Sequence, residues 1–179
     1  MTATEPPAPP IEALAAWHDF FALAGTASVT LIGAMFVVAS IGSGFLTSKR
    51  ASEIRVFLTP TVIHLSAVLV AGALALVPFG DATAFGALIG LIGLAGAAYA
   101  GGIALHIGRR GIGWDDRVWY ALVPLSGHAL LVAAALAAVV HAAVSLDLLA
   151  VALAMLLIAA LRNAWDLILF LVAQAKDAG

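Results

Sequence analysis

Five long apolar runs dominate this chain, and no other feature constrains its fold as strongly. They extend over Trp17–Leu46, Val56–Phe79, Thr83–Gly108, Val118–Val144 and Leu148–Ala173. Each meets or exceeds the ~20 residues that an α-helix needs to cross a ~30 Å hydrocarbon core. In lipid the backbone must satisfy its own hydrogen bonds, so such runs become helices rather than open strands. The expected fold is all-α, a polytopic membrane bundle of five transmembrane helices. Composition agrees: 64% of the residues are hydrophobic and 10% charged, where a soluble domain has about half and about a quarter. A soluble enzyme is excluded. A nucleic-acid partner is excluded as well, because the net charge is -2 and the basic residues form no patch. The chain has no cysteine, which rules out thiolate metal sites, iron–sulfur clusters and cysteine nucleophiles.

Residues 1–16 open with Pro6, Pro7, Pro9 and Pro10 and read as a disordered, interfacial tail without a signal-peptide pattern. Residues 17–174 form the five-helix domain, and 175–179 a short second tail. Lys49, Arg50 and Arg55 mark the first connection and Arg109, Arg110 and Arg117 the third, whereas the second and fourth carry only Asp81 and Asp147. The positive-inside rule then puts the N-terminus outside and the C-terminus in the cytoplasm. Short loops and an alanine-rich composition point to a bacterial inner membrane.

The first two spans have echoes in the third and fourth. Leu31-Ile32-Gly33 matches Leu88-Ile89-Gly90, and Arg55-Val56 matches Arg117-Val118. Pro60 and His64 share the spacing of Pro124 and His128. A duplication of this kind relates two hairpins by an axis along the membrane normal and brings the two histidines toward one centre. The fifth span has no counterpart. The third is rich in glycine, with Gly86, Gly90, Gly93 and Gly101 spaced for close helix packing, either within the bundle or against another subunit or a second copy.

Ionisable groups are costly inside a bilayer and turn inward to partners. His64 and His128 lie near mid-membrane at one level. The pair admits two readings: axial ligation of a haem b iron, or neutral packing with hydrogen-bonded partners. Pro60 reads as lying near the start of its helix, whereas Pro124 deprives the carbonyl of Tyr120 of a donor. In the fifth span Arg162, Asn163 and Asp166 form a buried polar cluster, with Arg162 and Asp166 four apart and able to pair on one face. The pair reads either as a structural staple or as a proton or anion site. His18, Asp19, Asp81, His141 and Asp147 cluster near one surface and read as solvated helix ends rather than a metal site. No catalytic triad, zinc motif or phosphate loop is present. The function that emerges is a non-catalytic accessory or assembly subunit of a membrane complex, in contact with lipid and with another membrane subunit or itself. A haem b redox protein on His64 and His128 and a carrier on Arg162 and Asp166 stand as alternatives.

Overall fold

The computed structural model describes residues 17–43, 48–109 and 113–176. They form α1 (His18–Ser43), α2 (Ser48–Ala75), α3 (Ala82–Arg109), the single turn α4 (Trp114–Arg117), a π turn (Val118–Leu122), α5 (Val123–Val139) and α6 (Ser145–Lys176). No strand occurs among the described residues. Five stretches are long and apolar enough to cross a membrane: His18–Ser40, Leu58–Ala75, Ala82–His106, Trp114–Val139 and Ser145–Ala173. The chain is a multi-pass helical membrane bundle in contact with lipid. The N-terminal tail, Arg110 and the last three residues lie outside the described residues.

Several boundaries move. The second helix begins at Ser48, so Lys49, Arg50 and Arg55 ride on α2 instead of a loop. Pro60 therefore lies inside a long helix and not near its start. The fourth span ends at Val139 rather than Val144 because His141 adopts φ 55. Its N–H bonds the carbonyl of Ala138 at 3.0 Å and that of Ala142 bonds Ala137 at 2.8 Å, the paired bonds that close a helix in a left-handed cap. α6 then starts three residues earlier than its apolar run.

Four helices close a ring in the order α2, α3, α5, α6, which leaves α2 and α5 on a diagonal. α1 stands outside this ring against α2 and α6, fastened by the Ser28 hydroxyl, which donates to the carbonyl of Leu65 at 2.5 Å. If the two hairpins are duplicates, α6 occupies the position that symmetry would give α1. We call the ends of the bundle the Asp81 side and the Arg117 side. On the Asp81 side the core is mainly apolar, with Phe21, Val68, Phe85, Leu131, Leu149 and Leu153 almost completely buried and Ser145 a buried polar residue at its end.

The α3–α5 seam depends on small residues. A Cβ on Gly86 would approach Val139 Cγ2 at 2.8 Å and the carbonyl of Ala135 at 2.9 Å. At Gly93 it would approach the backbone N of Val132 at 2.9 Å, and at Gly90 the Cβ of Ala135 at 3.3 Å. Absent side chains let two backbones approach where lipid offers no hydrophobic drive. Gly101 has nothing within 4 Å of such a Cβ.

Candidate functional site: a histidine pair on the bundle diagonal

His64 on α2 and His128 on α5 each sit about three turns before the Asp81-side end of their span. Equal depth on diagonal helices brings the rings together. Nδ1 of His64 lies 3.2 Å from Nε2 of His128, with ring centroids 5.3 Å apart and planes tilted by 49°. Both side chains are completely buried. Gly96 makes this possible: a Cβ there would run into the His128 ring. Gly127, the neighbour of His128, receives Leu156 of α6 in the same way, with a Cβ approach of 2.9 Å.

The N···N contact needs one donor and one acceptor. Each neutral imidazole has one N–H and one bare nitrogen. Whichever ring donates, one of the two remaining nitrogens is an N–H and the other a lone pair. Those atoms, His64 Nε2 and His128 Nδ1, are buried and have no partner among the described residues. The pair is thus a short polar rod with a donor at one end and an acceptor at the other.

This geometry tests the haem reading. Two axial nitrogens, each ~2 Å from one metal ion, stand ~4 Å apart on opposite sides of the porphyrin plane. Here they are 3.2 Å apart in direct hydrogen-bond contact, with the glycine backbone of α3 against one ring. No gap for a porphyrin separates them, so the pair as placed does not fit a six-coordinate haem.

Two to three turns toward the Arg117 side lies the second polar group. Arg162 Nη1 donates to Asp166 Oδ1 at 2.5 Å, and Tyr120 OH donates to Asp166 Oδ2 at 2.7 Å. The carboxylate is mostly buried, the guanidinium partly exposed. Tyr120 is a partner that the sequence reading missed. Its position follows from the π turn, where the N–H of Val123 reaches back to the carbonyl of Val118. Pro124 brings no N–H, and widening the preceding turn accommodates that loss. Asn163 is 1% exposed, and neither amide atom has a partner among the described residues.

The residues near the Asp81 surface do not gather into one site, although His141 lies close enough to Asp81 to act on its charge. His18 Nδ1 lies 3.3 Å from Asp19 Oδ1 in an exposed pair. Asp81 accepts from the N–H groups of Thr83 and Ala84 at 2.9 and 3.3 Å and caps α3. Those backbone bonds, led by the one from Thr83, hold its carboxyl below the usual range. No group of three metal-ligating side chains forms among the described residues. Comparison of the chain with protein-family models, curated proteins and solved structures finds no match.

Proposed function

We propose that the protein is a non-catalytic component of a bacterial inner-membrane complex, with its N-terminus outside, working through helix contacts in the plane of the bilayer. The observation that carries this reading is the outer face of α1. Leu23, Thr26, Thr30, Gly33, Val37 and Ser40 follow a three-four spacing and are all exposed. That spacing is the seam of a helix pair, and small or hydroxyl-bearing residues are what close helix approach in lipid uses. The hydroxyls of Thr26, Thr30 and Ser40 bond back to the carbonyls of Ala22, Thr26 and Phe36 at 2.8–2.9 Å. The face is therefore satisfied by itself and small enough to admit a neighbour.

The packing on the Asp81 side supports this reading over a carrier: among the described residues, large apolar side chains fill that half between the histidine pair and Ser145, a buried hydroxyl at its far end. The lack of a cysteine makes the test clean. Single Thr26→Cys, Thr30→Cys and Gly33→Cys variants, carrying a photo-crosslinker in native membranes, should give one discrete adduct each. Leu91→Cys and Leu136→Cys on the lipid-facing α3–α5 surface should give none. Adducts that fail to follow the stripe would overturn the assignment.

A further inference from the structure

We propose that a buried water molecule binds between His64 Nε2 and the side-chain amide of Asn163, extending the histidine pair toward the Tyr120–Asp166 group. Three observations meet here. First, of the six buried side-chain polar atoms without a partner among the described residues, three belong to His64 and Asn163 and a fourth to His128. His64 Nε2 and both Asn163 amide atoms are buried, and a buried amide or imidazole N–H without a partner is costly.

Second, the helices put them at neighbouring levels. Leu65, next to His64, shares one buried cluster with Ala160 and Ala164 of α6, which bracket Asn163. Thr61 lies one turn from His64 on the same face of α2 and is completely buried. Asn163 lies two turns along α6 from Leu156, which packs on Gly127. It therefore faces the same interior about two turns toward the Arg117 side. Third, Asp166 is the next residue but two, and it carries Tyr120 and Arg162.

An internal water needs two to four polar partners, and these groups supply both donors and acceptors. A water there can accept from or donate to His64 Nε2 in either tautomer of the pair. When the histidine bond reverses its direction, the water and the amide can rotate to follow. The histidine protons then exchange with solvent from the Arg117 side, because large apolar side chains pack the other half and its buried Ser145 lies three turns of α6 beyond Leu156. The site is a dead-ended polar inlet rather than a pore.

The test is water-selective nitrogen-15 NMR on histidine-labelled full-length protein in nanodiscs. The His64 ring N–H should correlate with a bound water. Asn163→Leu should abolish that correlation and slow exchange of the ring protons by about tenfold, the loss of roughly one hydrogen bond. Asn163→Ser should keep the correlation, and Leu153→Val, on the Asp81 side, should leave exchange unchanged. A wild-type spectrum without the water correlation would overturn the proposal even if Asn163→Leu does not fold. So would a folded Asn163→Leu whose ring protons exchange at the wild-type rate.

Discussion

Pro60 to His64 runs inside an unbroken α2, whereas Pro124 to His128 follows a π turn in the fourth span. One spacing, placed in two backbones, delivers two rings to one point. What differs is the turn before each proline. In α2 the helix simply continues from Ser48. In the fourth span the widened turn carries Tyr120 onto Asp166 of α6. The histidine contact depends on depth and diagonal placement, while the Tyr120–Asp166 link depends on local backbone geometry. The two polar groups should therefore fail separately.

Glycine substitutions give the largest expected effect. Gly96→Ala drives a Cβ from the α3 backbone into the His128 ring and should cost about 3 kcal/mol, the upper end for an overpacked core. His128→Ala should relieve that cost in the double variant. Gly101→Ala, with nothing within 4 Å, should be neutral or stabilising by up to about 1 kcal/mol through helix propensity. Thermal unfolding in detergent compares the three. Equal losses at Gly96 and Gly101 would show that the ring does not lie against α3.

Next comes the charged pair. Asp166→Ala strands Tyr120 OH and Arg162 and should cost about 2 kcal/mol, below the fully buried range because Arg162 is partly exposed. The double Arg162→Leu, Asp166→Leu variant should be milder than Asp166→Ala alone. A smaller effect separates the prolines. Pro124→Ala restores an N–H, should let the π turn relax to α-helix, and should lose the Tyr120–Asp166 bond at about 1 kcal/mol. Tyrosine infrared bands would report it. Pro60→Ala should leave those bands unchanged.

The smallest effect is at Asp81. Its carboxyl is depressed in the folded state by the N–H groups of Thr83 and Ala84. A depressed carboxylate stabilises the fold at neutral pH and loses that contribution as pH falls through its folded value. Wild-type protein should therefore lose slightly more stability than Asp81→Asn on acidification below the usual carboxylate range. The same acid loss in both proteins would remove the cap from the account.

Much of this architecture was legible in the residues. Apolar run length gave five helices, since lipid leaves the backbone no other way to pair its groups. Equal depth of His64 and His128 pointed to a meeting, and the four-residue spacing of Arg162 and Asp166 gave their bond. The ring order was not legible, because spans apolar on every side carry no stripe to say which face turns inward. That is why the role of Gly96 was missed while Gly101 was put among the packing residues. The π turn was half legible: Pro124 announced a missing donor, but not that the backbone would widen to absorb it and re-aim Tyr120. Asn163 reads as buried from the sequence; that its amide has no partner among the described residues needed the fold.

The most direct test of the histidine pair is scalar coupling across its N–H···N bond, measured by NMR on nitrogen-15 histidine-labelled protein expressed with ample haem. Direct contact requires a coupling between His64 Nδ1 and His128 Nε2, a colourless protein, and loss of the coupling in either His64→Ala or His128→Ala. Two uncoupled rings, or a Soret band abolished by either substitution, would contradict direct contact between the histidines.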